Sequence, residues 1–281
     1  MTLKRLFFLG LSLVLIQSAA SLLVRLLPGD PLEFLIADSD VAALADFRRE
    51  MGLDLPAWRA ALQAPLSAIQ GDLGHSLHTR ELIAPVIRTR FLSSALLALP
   101  AALIALLIAL PLGVVAAGTS GSLIDRFCSI FGSVSASLPL LWIAPVSIWA
   151  FCVRLPWFDL EGENALPAIV LGVLTSGFWM RLIRERTREG LALPSAQAAR
   201  ARGLAEWKIR LKYGVRIPLG GLISYFMLQF GHLLTGAFVL EVIFNRAGAG
   251  TYFIDAILRG DYPAVEAATW ITASICLFSN F

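Results

Sequence analysis

Three histidines, His75, His78 and His232, are the side chains here best suited to moving protons or holding metal near neutral pH. His75 and His78 stand at i, i+3, so on a helix they could share an ion. Two ligands alone make a weak site, and both are read as surface residues, with no metal expected. His232 lies within an apolar run, with Gln229 and Thr235 at i, i+3 on either side and therefore on one helical face. Two readings of Gln229, His232 and Thr235 stay open: hydrogen bonding between helices and the polar lining of a translocation path. Enzyme motifs are missing. The sequence contains no GxxxxGK[ST], GxSxG, HExxH or GxGxxG, so the chain is expected to carry no catalytic site and no nucleotide loop of its own. Cys128, Cys152 and Cys276 have no CxxC spacing and sit in apolar runs, as small membrane-embedded residues do.

A second constellation is electrostatic. Residues 196–216, AQAARARGLAEWKIRLKYGVR, place Arg200, Arg202, Lys208, Arg210, Lys212 and Arg216 against a single acid, Glu206. The alanine-rich start closed by Gly203 predicts a short helix. Beyond it, Leu204, Trp207, Leu211 and Val215 follow helical spacing and predict an apolar stripe, with Glu206 and Arg210 as an i, i+4 pair. Such a block can be an ordinary cytoplasmic loop, an interfacial helix drawn to anionic lipid, or a docking element. Nucleic acid is not an expected partner, because no recognition fold accompanies the charge. The small residues Ala196, Ala198, Ala199, Ala201 and Gly203 favour insertion into a groove of another protein.

The elements that position these groups are membrane spans. The chain is 57% hydrophobic and only 15% charged, with a mean hydropathy of +0.74; a soluble domain carries about 25% charged residues. The fold class expected is an all-α integral membrane protein, forming one transmembrane domain over 1–281. About six apolar runs reach or approach the roughly 20 residues a span needs, predicting helices near 6–27, 91–117, 127–154, 165–185, 217–243 and 264–281. The first run is read as an uncleaved helix rather than a signal peptide, because apolar character continues through LLVRLL. Lys and Arg concentrate at Lys4, Arg5, Arg126 and the loop 186–216, which predicts a cytoplasmic N-terminus. Segments 28–90, 154–164 and 241–263 then face outward.

The stretch AARARGL, followed by Ile209, Lys212 and Arg216, resembles the cytoplasmic loop of ABC-importer permeases of the dipeptide/oligopeptide/nickel family. LPGDP at 27–31, GLDLPAW at 52–58, GDLGHS at 71–76, LPAIVLG at 166–172, LQFGHLLTGAFVLEVIF at 228–244 and DYP at 261–263 are similar to further segments of that family, in the same order. Tyr213 and Ser195 stand where the family usually has histidine and tyrosine, and Ala247 where proline is frequent. The resemblance implies a type I importer permease of the B type in the bacterial inner membrane. It implies a second, homologous permease, two ATPases that hold ATP and Mg, and an extracytoplasmic substrate-binding protein, with membrane lipid around the spans. This chain itself would bind no cofactor. Ala198, Ala199, Arg200, Ala201, Arg202, Gly203 and Leu204 would form the ATPase-coupling loop. The contrasting expectation is a secondary carrier or channel that works without ATPases.

Overall fold

The computed structural model describes residues 2–26, 32, 48–49, 53–159 and 164–280. LPGDP, Gly52, the acids Asp30, Glu33, Asp38, Asp40, Asp46, Glu161 and Glu163, and the side chain of Arg216 lie outside the described residues. The described helices are α1 (Thr2–Arg25), α2 (Ala57–Ile69), α3 (Ile83–Ala117), α4 (Leu123–Ser137), α5 (Leu140–Ile148), α6 (Ala165–Ala192), α7 (Pro194–Ala201), α8 (Glu206–Ile209), α9 (Arg216–Ile243), α10 (Ala249–Arg259) and α11 (Tyr262–Asn280). π-Helical segments follow α5 (Trp149–Arg154) and α8 (Arg210–Gly214). A lone antiparallel bridge, His75 to Leu82, is the extended pairing among the described residues.

Proline decides where the apolar runs bend. Among the described residues α1, α3 and α6 are each long and apolar enough to cross a membrane. The run predicted as one span over 127–154 is instead α4 and α5 with its π-helical extension, bent by 96°. Leu138 precedes Pro139, and proline's ring disfavours the helical region for the residue before it; Leu138 is extended at φ −80, ψ 117, and α4 ends there. Pro100 and Pro111 lie inside α3, which continues through both. In apolar surroundings neighbouring groups can re-satisfy the freed carbonyls. α9 and α11 occupy the regions of the last two predicted spans.

Charged residues extend two helices past the apolar runs. α3 starts at Ile83 rather than near 91 and takes in Arg88 and Arg90, whose stems can cover apolar surface while the heads stay in water. α6 continues to Ala192, so Arg181, Arg184, Arg186 and Arg188 stand on a helix.

The chain divides into two compact units, residues 1–93 with 247–281, and residues 94–246. In the first, α1 packs on α2 and α11, around Val24, Ile83, Ile87, Tyr262, Val265 and neighbouring alanines. Buried polar groups fix the packing. Ser21 Oγ donates to Glu266 Oε1 at 2.7 Å, tying α1 to α11. Asp261 accepts from Ser76 Oγ at 2.5 Å and the Leu77 N–H at 3.2 Å, and from the Ala264 N–H at 3.4 Å in the first turn of α11. These bonds tie the GDLGHS segment to DYP at the start of α11.

In the second unit α6 is the hub, packed against α4, α5 and α9. A Cβ on Gly172 would lie 2.7 Å from the Ala101 carbonyl of α3, so only glycine permits that crossing. On α9, a Cβ on Gly236 would lie 2.7 Å from Leu171, whereas Gly221 has open space around it.

Candidate coupling loop and polar groove

α6 delivers the chain to the basic loop at Leu193, extended at φ −67, ψ 149 ahead of Pro194. Proline at the first helical position is preset for α7. Two bonds close that helix: Gly203 N–H donates to the Arg200 carbonyl at 2.9 Å, and Leu204 N–H to the Ala199 carbonyl at 3.2 Å. This pair is the Schellman pattern, which needs a left-handed residue after the helix, and Gly203 supplies it at φ +75. A Cβ on Gly203 would have no heavy atom within 4 Å, so within this chain glycine is needed for its backbone angle and not for space.

The alanines divide by face. Ala196 and Ala199 are buried against Leu191 and Ile209, with Leu204 and Tyr213 packed beside them. Ala198, Ala201, Arg202 and Gly203 are exposed. So the predicted coupling residues separate into an inward anchor, Ala199 with Leu204, and an outward surface. Part of the alanine richness is explained by packing within the chain rather than by fit to another protein. Gly190 and Gly214 complete the anchor: a Cβ on Gly190 would lie 3.0 Å from the carbonyls of Tyr213 and Gly214.

Two sequence expectations are corrected here. The predicted apolar stripe is not buried: Trp207 and Leu211 are 61% and 58% exposed, and the residue that turns inward is Ile209, at 0%. α8 is only four residues long before the π-helical segment begins, so 3.6-residue spacing does not persist across Leu204 to Val215. The Glu206–Arg210 pair does not form either. Glu206 accepts from Arg200 Nε at 2.8 Å across the Gly203 turn, while Arg210 Nη2 donates to the Gly118 carbonyl at 3.1 Å, at the end of α3.

A cluster outside the sequence reading sits at the turn between α3 and α4. Arg184 Nη1 lies 3.0 Å from Asp125 Oδ1 and 2.5 Å from Ser129 Oγ, and Arg188 Nη2 lies 2.8 Å from the same carboxylate oxygen. The Gly121 N–H donates to Asp125 Oδ2 at 2.9 Å. That bond holds the Asp125 carboxyl below the usual carboxylate range against the opposing effect of burial, with Arg188 and Arg184 adding to it. The signal was present in Ser-Leu-Ile-Asp at 122–125, a capping-box spacing, and Ser122 Oγ does accept from the Asp125 N–H at 3.2 Å.

The polar face on α9 is partly assembled. Gln229 and His232 line a groove of about 360 Å³ together with Thr175, Phe178, Trp179 and Leu233. Thr235 is exposed but lies outside that lining, and its hydroxyl donates back to the Gly231 carbonyl at 3.0 Å. His75 and His78 are not on one helix; His75 is in the bridge to Leu82 and His78 in the turn that follows, where its Nε2 lies 2.8 Å from the Arg259 carbonyl.

Apolar helices with an exposed basic loop define a multi-pass membrane protein. A family model described as "Binding-protein-dependent transport system inner membrane component" matches residues 109–281, and the chain belongs to that family. It is 32% identical to the di/tripeptide transport system permease protein DppB of Pseudomonas aeruginosa (strain UCBPP-PA14), over 92% of this chain and 88% of that protein. It is 29% identical to the glutathione transport system permease protein GsiC of Escherichia coli (strain K12), over 94% of this chain and 88% of that protein. The chain is therefore a permease component of a partnered ABC import system, a transport protein and not an enzyme.

Proposed function

We propose that this chain is the permease half through which a peptide or a related small solute passes, driven by two separate ATPases, one of which docks on α7. The observation that carries the reading is the construction of α7: one face is locked to its own chain through Ala196 and Ala199, and the Schellman-closed end presents Ala198, Ala201, Arg202 and Gly203 outward. A helix held at its back and bare at its tip can be pushed as a lever. The chain would bind no cofactor; ATP and Mg would reside on the ATPases, consistent with the missing phosphate loop. A second, homologous permease would complete the path, with Gln229, His232 and Thr235 facing it, and an extracytoplasmic binding protein would deliver the solute. Relatives named for di/tripeptide and glutathione transport support the peptide class.

Reconstitution tests this reading. Vesicles containing both permeases, the ATPases and the binding protein should accumulate a labelled dipeptide only when Mg-ATP reaches the ATPases. Uptake without the ATPases would establish a self-contained carrier or channel instead.

Orientation gives an independent check, with the N-terminus and α7 placed in the cytoplasm on the strength of the basic loop. Arg202 and Asp72 are both exposed. Cysteines at these positions should react differently in intact cells: the one at 72 with an impermeant maleimide, the one at 202 only after permeabilisation. The reverse pattern would invert the topology.

A further inference from the structure

α3 has no direct chain connection to the coupling loop, yet one side chain joins them. Arg210 follows Ile209, the residue that α7 packs on through Ala196 and Ala199. Its Nη2 donates to the Gly118 carbonyl. Gly118 directly follows α3, where the last carbonyls lack partners in the helix and carry the negative end of its dipole. The fit is close: a Cβ on Gly118 would collide with the guanidinium. Arg210 Nε is buried without a hydrogen-bond partner among the described residues, while Nη2 holds this carbonyl. Arg210 also opens the π-helical segment Arg210–Gly214, a local distortion that proteins often place at functional positions.

The other end of the same turn is fixed as well. Asp125 is held by Arg184 and Arg188 of α6, and its second oxygen takes the Gly121 N–H. The turn 118–125 is therefore secured at Gly118 by the loop and at Asp125 by α6.

We infer that Arg210 is a strut that carries movement of the coupling loop to the C-terminal end of α3, a positioning role that rests on the importer reading above. Force applied to the outward tip of α7 passes through the Ala199–Ile209 contact to Arg210, and from its guanidinium to the α3 backbone. α6 and α9 are reached along the chain in either direction from the loop; α3 packs on α6 at Gly172 and Gly113, and its C-terminal end is tied to the loop directly through Arg210.

The experiment uses the assembled complex with its ATPases, spin-labelled at Leu107 on α3 and Val242 on α9, which are 65% and 42% exposed. In the wild type, trapping with Mg-ATP and vanadate should shift the distance between the labels. Arg210→Ala should clearly diminish that shift while the ATPases co-purify within about twofold of the wild-type amount. Arg210→Lys, which keeps a donor but not the fork, should retain more of it. Gly118→Ala displaces the guanidinium by another route and should reproduce the loss, which decides the matter if Arg210→Ala accumulates poorly. A full shift in Arg210→Ala or Gly118→Ala overturns the strut and leaves the importer reading standing. Loss of ATPase association in Arg210→Ala would make Arg210 a docking residue and also overturn it. No shift in a wild-type complex would overturn the strut, while the uptake assay decides the importer reading separately.

Discussion

Replacing Gly203 with valine is expected to weaken association with the ATPases by about tenfold or more, while the chain still inserts and accumulates. The left-handed conformation at φ +75 costs an ordinary L-residue roughly 1–2 kcal/mol, and about 1.4 kcal/mol is tenfold in an equilibrium. A β-branched residue is among the least tolerant of positive φ. Valine therefore favours states in which the closing bonds from Gly203 and Leu204 are lost and the exposed tip of α7 is remodelled. The spans are not involved, so insertion is spared. Gly203→Asn separates the two roles a glycine can have. Asparagine tolerates positive φ, and the space around Gly203 is open within this chain. Near-normal association in the asparagine variant would mean the backbone angle is what the loop requires. Tenfold loss in both variants would mean that an ATPase surface closes on Gly203 itself. Co-purification of the ATPases, with membrane fractionation as the control, measures both; undiminished association of the valine variant would refute the docking role.

Asp125→Asn is expected to lower the thermal stability of the detergent-solubilised protein. Hydrogen bonds to charged groups contribute about 1.5–3 kcal/mol each, and Asp125 holds two guanidinium groups that are only 13% and 31% exposed. Asparagine keeps a carbonyl acceptor but removes the charge, leaving Arg184 and Arg188 to share the half-exposed Glu185, at 3.1 Å and 3.6 Å. The pH dependence follows from the direction of the shift. The folded carboxyl lies below its ordinary value, so the folded state gains wherever the unfolded group is ionised, above a pKa of about 3.9, and loses that gain as the pH falls through the folded value. The gap between wild type and Asp125→Asn should therefore be constant from about pH 5 to 8 and close only in stronger acid. Melting curves across that range measure it. Equal stability at pH 7 would mean the cluster is a surface feature without energetic weight.

The membrane class, the approximate helix positions and the basic loop were legible from composition alone, because burying apolar runs in lipid is a one-dimensional property of the chain. Gly203 was legible too, since a glycine after an alanine-rich helix is a local signal with a local cause. The 96° bend at Pro139 could have been read from the same kind of signal, but charge-free length hides a break that adds no charge.

Pairing was not legible. The spacing of Glu206 and Arg210 predicted one partner, and the fold gave Glu206 to Arg200 and Arg210 to Gly118. An i, i+4 pair forms only on a continuous α-helix, and here α8 gives way to a π-helical turn at Arg210. Likewise, the alanines of α7 looked alike in sequence, yet only their position against Leu191 and Ile209 makes some an anchor and leaves others exposed. Arg184 and Arg188 counted simply as positive charge until α6, continuing past its apolar run, brought them to Asp125, 59 and 63 residues away in sequence. Hydropathy, charge bias and helix ends depend on neighbours along the chain, so sequence determined them. Which cation meets which acceptor depends on the register between helices distant in sequence, and only tertiary packing decides that.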